Sequence, residues 1–226
     1  MGYDTTASGE ASTAMGYSTT ASAQGSTAMG KLTTASHTAS TAMGQSTTAS
    51  AAFTTAIGYN TTASGSYSTA MGRYTTASGF TSTAMGWSTT ASDYSSTVIG
   101  QYNSSGSSAT SADSFSTSAP AFVIGNGTAS NAKSDAFKVM FNGDTTVSND
   151  LTVNGDVNIS SDARLKSNIV SLGSTLPKLL QIDGKSYEMK GKQKIGVLAQ
   201  EIKEVFPELV SEDDNEMLAV NYQGLV

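Results

Sequence analysis

Residues 12–25 read Ser-Thr-Ala-Met-Gly-Tyr-Ser-Thr-Thr-Ala-Ser-Ala-Gln-Gly, and variants of this stretch fill residues 1–100. Glycine returns every fourteen residues without a slip, at Gly2, Gly16, Gly30, Gly44, Gly58, Gly72, Gly86 and Gly100. Half a period later Thr-Thr-Ala-Ser returns, with its alanine at Ala7, Ala21, Ala35, Ala49, Ala63, Ala77 and Ala91. A strict repeat this short is typical of a solenoid, in which stacked units build a core that no single unit has.

Each unit predicts two short strands and two corners. In the first half, alternation places Thr13 and Met15 on one face and Ala14 on the other, and neither face is plainly polar. This pattern is typical of a strand that is buried on both sides. The second half predicts a strand with one half-exposed face, and we expect Gly16 at a corner, where a missing Cβ permits φ > 0. The sequence therefore predicts a mainly β fold, a narrow parallel β-roll with 14-residue coils.

Composition limits the classes of protein that the chain can belong to. Only 13% of the 226 residues are charged and 38% are hydrophobic, and both fractions are low for a globular domain. Ser, Thr, Ala and Gly are correspondingly frequent. This composition alone is typical of a disordered, mucin-like stalk. The strict phase of the repeat argues against disorder, because a disordered chain places no demand on register.

Several kinds of site and partner are excluded by residue content. The chain has no cysteine and one histidine, His37, which occupies a variable position of the repeat. We therefore predict no disulfide, no metal site, no cofactor and no Ser-His triad. The net charge of -6, without a Lys/Arg run, argues against nucleic acid as a partner. No apolar run approaches the ~18 residues of a membrane span, so we expect no membrane insertion.

From Gln101 onward the repeat loses its phase. Residues 103–119 predict a loop or a loosened coil, and Ala121–Gly127 restores the aliphatic-Gly signature. Two Asn-Gly-Asp turns then separate short alternating strands, at Ala136–Phe141, Thr145–Val147, Leu151–Val153 and Val157–Ile159. We interpret residues 103–160 as an irregular connector and a β neck, after a β-roll head over residues 1–102.

From residue 161 the composition indicates a small α+β domain. The predicted elements are a helix from a Ser161-Asp162 cap to Val170, a short helix at Leu176–Ile182, a strand at Lys185–Met189, a helix at Gly196–Phe206 and a hairpin of Val210 with Met217–Tyr222. Residues 161–226 are therefore assigned to a third domain.

The tetrad Thr13-Ala14-Met15-Gly16 and its copies resemble the head of the YadA-type trimeric autotransporter adhesins, where the tetrad is commonly aliphatic-Ala-Ile-Gly. This chain departs from that tetrad at two positions, because it has Met where the family has Ile and Thr where the family has the first aliphatic residue. The resemblance covers residues 1–100 and implies a left-handed parallel β-roll packed as a homotrimer. A weak core also favours association, because alanine columns offer little apolar area at about 25 cal/mol per Å² buried.

The third domain is similar to the intramolecular chaperone at the C-terminus of phage endosialidase tailspikes and other trimeric fibres. The matching stretches are Ser161–Ile169, Ile195–Glu201, Phe206–Val210 and Val220–Tyr222. The resemblance implies a domain that helps three chains trimerise and then cuts itself off with a Ser-Lys pair. Ser161 maps to the nucleophile and Lys166 to the base, and the cut falls between Ser160 and Ser161. The helical sequence that normally follows is absent, so we expect a domain truncated at its C-terminus.

The implied cleavage is chemically coherent. Ser161 Oγ would attack the carbonyl of Ser160, and with no usable histidine a neutral lysine is the available base. Loss of the lysine proton near neutral pH requires burial, which assembly would supply. Positions i and i+5 lie about 140° apart on an ideal helix. Ser161 must therefore lie off the helix, or meet a lysine of another chain; the alternative is a plain N-cap beside a solvated lysine.

The sequence thus predicts a homotrimeric, extracellular surface or virion fibre whose only chemistry is one turnover on itself. Tyr17, Tyr59 and Trp87 are candidate contacts for a host glycan or receptor, or else exposed corner residues without a binding role.

An alternative function is ice binding by threonine ladders, formed by Thr20, Thr34, Thr48, Thr62, Thr76 and Thr90. A carbohydrate-degrading spike has no support, since no acidic pair recurs in the roll.

Overall fold

The computed structural model of the chain describes residues 2–154, 156–157, 160–212 and 216–222. The chain divides into two compact units, Met1–Gly155 and Asp156–Val226. The first unit is a β-solenoid with a short antiparallel extension, and the second contains two hairpins and a few short helices. The predicted mainly β fold is confirmed.

Each coil of the solenoid contributes one long and one short strand. In chain order the strands of the first unit are β1 (Gly2–Tyr3), β2 (Thr6–Ala7), β3 (Thr13–Tyr17), β4 (Thr20–Ala21), β5 (Thr27–Lys31), β6 (Thr34–Ala35), β7 (Thr41–Gln45), β8 (Thr48–Ala49), β9 (Thr55–Tyr59), β10 (Thr62–Ala63), β11 (Thr69–Arg73), β12 (Thr76–Ala77), β13 (Thr83–Trp87), β14 (Thr90–Ala91), β15 (Thr97–Gln101), β16 (Pro120–Asn126), β17 (Asp135–Met140) and β18 (Thr145–Val147). The odd-numbered strands to β15 form a long sheet with β16, β17 and β18, and the even-numbered strands to β14 form a short-stranded sheet.

The register of both sheets is fixed at fourteen residues. In the long sheet Ala14 pairs with Ala28, and in the short-stranded sheet Ala21 pairs with Ala35. All of these pairs are parallel, up to and including β15 with β16. The 14-residue coil predicted by the sequence is confirmed.

Alanine from both sheets fills the space between them. The buried alanines are Ala14, Ala28, Ala42, Ala56, Ala70 and Ala84 of the long sheet and Ala21, Ala35, Ala49, Ala63, Ala77 and Ala91 of the short-stranded sheet. Val98 and Val123 extend this core at the end of the solenoid. The alternation predicted around Ala14 is confirmed, since Ala14 is buried whereas Thr13 and Met15 are exposed. Burial of the long strands on both sides is not found in one chain, because the face that carries Met15 has no covering layer.

The repeating glycine lies inside the long strand and not at the corner, which corrects the prediction for Gly16. Gly58 adopts φ +129°, and a Cβ there would lie 1.9 Å from the backbone oxygen of Gly72. The corner follows, where Asn60 adopts φ 51°. Glycine is therefore required by the close approach of neighbouring coils as well as by backbone conformation.

The solenoid ends with an irregular loop between β15 and β16. Across this loop Gly100 pairs with Gly125, so the returned aliphatic-Gly motif continues the long sheet. The short-stranded sheet ends at Asn103, whose side-chain amide accepts from Thr90 N at 2.8 Å and donates to Thr90 O at 2.9 Å. This amide takes the place of the next strand. Two carboxylates also hold the loop in place. Asp135 and Asp93 each accept hydrogen bonds from two backbone amides of the loop.

The antiparallel extension agrees only in part with the predicted neck. Strands β17 and β18 confirm the predictions at Ala136–Phe141 and Thr145–Val147. The prediction of a strand at Leu151–Val153 is wrong: these residues are exposed and pair with no strand in the described part of the chain. Of the strand predicted at Val157–Ile159, Val157 is not in a strand, and residues 158 and 159 lie outside the described residues, as does Gly155 of the second Asn-Gly-Asp turn.

The second unit is built from short elements. They are a 3₁₀ turn at Ala163–Leu165, α1 (Leu176–Leu179), β19 (Lys185–Met189), β20 (Lys192–Gly196), α2 (Ala199–Val205), a 3₁₀ turn at Pro207–Leu209, β21 (Val210–Glu212) and β22 (Leu218–Val220). β19 pairs with β20 and β21 with β22, both antiparallel. Ile202 and Phe206 are its buried large side chains among the described residues.

Three helix predictions in this unit need correction. The helix expected to reach Val170 is a single 3₁₀ turn, because Lys166 is extended and Asn168 has φ 53°. The helix expected from Gly196 begins at Ala199, since Gly196 ends β20. α1 ends at Leu179, short of the predicted end.

The strand and hairpin predicted for this unit agree with the structure. The strand at Lys185–Met189 is confirmed as β19, and the final hairpin is confirmed as β21 and β22. Residues 213–215 of its turn lie outside the described residues.

The glycine column gives a matched pair of substitutions. We expect Gly58→Ala to lower the free energy of unfolding by about 3 kcal/mol, because the new methyl group meets the backbone of the next coil. Gly25→Ala is the control: its nearest neighbour would lie at 3.9 Å, and Ala11 and Ala39 already adopt φ 54° and 50° at the equivalent corner. Its cost should stay within about 1 kcal/mol. Equal losses in urea denaturation followed by circular dichroism would contradict the close-approach explanation.

Candidate functional site

The predicted nucleophile and base lie on either side of the first 3₁₀ turn of the second unit. Ser161 precedes the turn, and Asp162 is its N-cap, with a side chain that accepts from Arg164 N at 2.8 Å. Lys166 follows the turn with extended backbone angles, φ -117° and ψ 143°. Because the turn is only Ala163–Leu165, the chain reverses tightly and both side chains reach the same side of it.

An ion pair fixes the cap of this turn. The Asp162 carboxylate accepts from Arg164 Nε at 3.0 Å and from Arg164 Nη2 at 2.7 Å, in addition to the backbone amide. The side-chain hydrogen bonds of Arg164, and next its backbone amide, lower the pKa of Asp162, and the same contact raises the pKa of Arg164. Both groups are exposed, so the pair orients the turn more than it stabilises the fold.

The turn brings Lys166 to Ser161 within one chain. Lys166 Nζ donates a hydrogen bond to Ser161 Oγ at 2.7 Å. The sequence left two arrangements open, with Ser161 off the helix or beside a lysine of another chain. In the structure Ser161 lies off the helical turn, and the lysine that it meets belongs to its own chain. Both side chains are exposed, as is Ser160 next to them. An amine and a hydroxyl at this distance have the geometry of a nucleophile and its base, provided that the amine is neutral and accepts the hydroxyl proton.

The three candidate surface aromatics occupy one corner column, and the structure brings two of them together. Tyr17 stacks on Tyr3 with ring centroids 5.2 Å apart, at the far end of the column from Trp87. Tyr59 and Trp87 both flank Arg73, which pairs in register with each of them.

Sequence reasoning missed the cation at the centre of this group. The Arg73 guanidinium carbon lies 5.9 Å from the ring centroid of Tyr59, 5.1 Å from that of Tyr74 and 5.5 Å from that of Trp87. Hydrogen bonding by Tyr59, and next by Arg73, lowers the pKa of Tyr74. The signal was available in the repeat, because Arg73 occupies the column of Tyr59 and Trp87 fourteen residues from each.

A second aromatic ladder, also missed, lies at the opposite corner. Phe53 stacks on Tyr67 at 5.0 Å, Tyr67 meets Phe80 edge-on at 5.4 Å, and Phe80 stacks on Tyr94 at 5.4 Å. Phe80 and Tyr94 come one residue earlier in the repeat than Phe53 and Tyr67, which hides the ladder from a strict fourteen-residue count.

The threonine ladder of the alternative function is present as a single file. From β4 to β14, each two-residue strand of the short-stranded sheet places one half-buried threonine outward, beside a buried alanine. The ladder is therefore one side chain wide.

Within residues 2–154, 156–157, 160–212 and 216–222 no group of His, Asp and Glu is arranged to hold a metal ion. Over the same residues, no helix has the length and apolarity needed to cross a membrane.

Family comparisons agree with both resemblances. The YadA head domain repeat matches residues 1–19, 7–33, 21–47, 35–61, 49–75 and 77–103, and the chaperone of endosialidase matches residues 161–211. No curated protein matches the chain. The two families do not favour the ice-binding alternative.

Proposed function

Because the chain carries YadA-type head repeats followed by an endosialidase-type chaperone domain, we propose that it forms a homotrimeric surface or virion fibre, similar to an adhesin or a tail fibre. Residues 1–102 form the head, residues 103–160 the connector and neck, and residues 161–226 the chaperone. The fibre is extracellular, and its head meets a glycan or receptor of the host.

The observation that carries the trimer is the outer face of the long sheet. A column of apolar side chains runs along it in phase with the alanine core, and each of them is half-exposed or exposed: Met15, Met29, Met43, Ile57, Met71, Met85 and Ile99. A continuous apolar stripe on a flat sheet is costly in water and marks an interaction surface. When copies of the same chain lie parallel, the Met and Ile side chains of one stripe meet those of the next at the same fourteen-residue spacing.

A second apolar surface supports the role of the C-terminal domain. Six aliphatic side chains of its first half are at least 63% exposed: Leu165, Ile169, Val170, Leu172, Leu176 and Leu180. Packing of these side chains against two further copies would trimerise the domain before the head folds. Early trimerisation matters because a woven roll depends on non-local contacts and exposes strand edges while it waits for partners. A joined domain raises the local concentration of the three heads.

Autoproteolysis then follows from the Ser161–Lys166 pair. Lys166 accepts the hydroxyl proton as Ser161 Oγ attacks the carbonyl carbon of Ser160. The bond from that carbon to Ser161 N breaks, the nitrogen takes the proton, and an ester joins Ser160 to Ser161 Oγ. Water hydrolyses the ester, which leaves a carboxylate on Ser160 and restores the hydroxyl of Ser161. The matched family also bears the name of a peptidase family, which supports this step.

Assembly would gate this reaction. The pair is exposed in the single chain, and burial between copies would favour the neutral amine that the reaction needs. After cleavage the assembled chains are no longer joined to their chaperone domains and cannot return to the unassembled state by the same path. The fibre therefore becomes kinetically stable.

The first test is the mass of the particle, measured in a Ser161→Ala background that keeps the chain intact. We expect three times the 23.1 kDa of one chain by analytical ultracentrifugation. Met43→Asp should reduce this mass, because it places three charges in the apolar stripe next to Met29 and Ile57. Ser50→Asp is the control and should leave the mass unchanged, because Ser50 is exposed and directly follows β8 of the short-stranded sheet. A monomeric parent would reject the trimeric fibre.

The second test concerns cleavage. On a denaturing gel the wild-type chain should separate into residues 1–160 and 161–226, whereas Ser161→Ala and Lys166→Ala should remain intact. Ser167→Ala, exposed and one residue beyond the lysine, is the matched control and should still be cut. Intact bands for wild type and control, in a preparation shown to be trimeric, would count against autoproteolysis without touching the fibre proposal.

A further inference from the structure

One arginine stands among exposed aromatic rings in an otherwise uncharged part of the head. Arg73 is the only Asp, Glu, Lys or Arg between Leu32 and Ser92. Its guanidinium carbon lies within 5.9 Å of the ring centroids of Tyr59, Tyr74 and Trp87. A lone cation placed among rings, where the repeat elsewhere places Lys, Gln or Tyr, is a feature that the fold itself does not require.

Arg73 and the rings around it form a continuous surface, which we name the cation–aromatic corner: Tyr59, Arg73, Tyr74 and Trp87, which are exposed, and Tyr102, which is half-buried. Tyr59 meets Tyr74 edge-on with centroids 5.4 Å apart, and Trp87 lies 5.2 Å from Tyr102. Tyr59, Tyr74 and Trp87 are 37%, 42% and 41% exposed. Among the ion pairs found in the described residues, none includes Arg73.

We propose that the cation–aromatic corner binds an acidic polysaccharide whose sugars carry carboxylate groups. Arg73 pairs with a sugar carboxylate, and Trp87 or Tyr59 stacks against the C–H face of the same or the next sugar ring. The proposal rests on the proposed fibre function and names the class of ligand for the head.

The chemistry of the corner favours a charged sugar over a plain polyanion. The faces of aromatic rings carry negative charge density, so they attract the weakly positive C–H groups of a pyranose face. A guanidinium offers a planar pair of donors that fits a carboxylate in a bidentate manner. The rings also hold the guanidinium in place, so less side-chain freedom is lost when a ligand binds.

The assembled fibre would strengthen the contact. Each of three chains presents one such corner at the same level, and a polymer repeats its carboxylate along its length. Several weak contacts on one particle then act together, and the apparent affinity exceeds that of a single corner.

The opposite corner of the same coils provides an internal comparison. Phe53 and Tyr67 stack there with similar exposure, 51% and 53%, but that ladder has no cation. If exposed rings alone were sufficient, both corners would bind. If the arginine is needed, only the cation–aromatic corner will.

The test uses the full chain with Ser161→Ala and measures dissociation constants for alginate, dextran sulfate and neutral dextran by affinity electrophoresis. We expect alginate to bind and neutral dextran to fail. Arg73→Gln and Trp87→Ala should each weaken alginate binding about tenfold, the loss expected for one charge-assisted hydrogen bond or one stacked ring. Tyr67→Ala, at the opposite corner, should remain within about twofold of the parent.

The other outcomes each overturn the proposal. Alginate binding that is unchanged in Arg73→Gln, or lost equally in Tyr67→Ala, would remove the corner as the site. Binding of dextran sulfate alone would remove the carboxylated sugar as the ligand, and binding of none of the three polymers would leave a protein receptor as the partner of the head. The mass of the same samples separates the two proposals: a trimer that binds no alginate rejects only the ligand, whereas a monomer rejects the fibre.

Discussion

The close approach of neighbouring coils is the constraint on which the rest of the molecule depends. Each coil repeats the one below it at a spacing that leaves no room for a Cβ on Gly58, and the space between the two sheets admits little more than alanine. Parallel ladders in a fixed register satisfy the backbone, but an alanine column buries little apolar area per coil. Threonines such as Thr33 and Thr47 add buried hydroxyls without a partner in the described part of the chain, which lowers stability further. The coil is thus regular and, on its own, weakly held.

This weakness gives the outer features of the chain a common explanation. The Met and Ile of the long strands from β3 to β15 point outward and form a stripe that one chain leaves uncovered. Asn103 closes the short-stranded sheet with its own amide, so the stack ends without an open edge at that position. A separate domain with exposed aliphatic side chains then fits the need to bring copies together before their stripes can meet.

Much of the solenoid could be predicted from the sequence because its repeat fixes the register: Ala14 pairs with Ala28 and Ala21 with Ala35, as the fourteen-residue period requires. Which face of the long strand lies inside was not predicted, because both faces of Thr13–Gly16 carry residues that can be buried. The glycine was misplaced since its role depends on the neighbouring coil, which a single unit does not reveal. The helix after Ser161 was predicted from capping residues, and these are satisfied by one 3₁₀ turn as well as by a helix. Leu151–Val153 alternates like a strand but finds no partner strand in the described residues. Arg73 was not among the predicted surface contacts because only the aromatic residues of its column were taken as candidates.

The central claim is that the coils obtain from other copies the apolar burial that their own core lacks. The most direct measurement is the thermal unfolding midpoint of the intact chain, followed by circular dichroism over a hundredfold range of protein concentration. Association that stabilises only the folded state predicts that the solenoid transition rises steadily with concentration. A solenoid transition at the same temperature throughout that range, in a particle of single-chain mass, would contradict it.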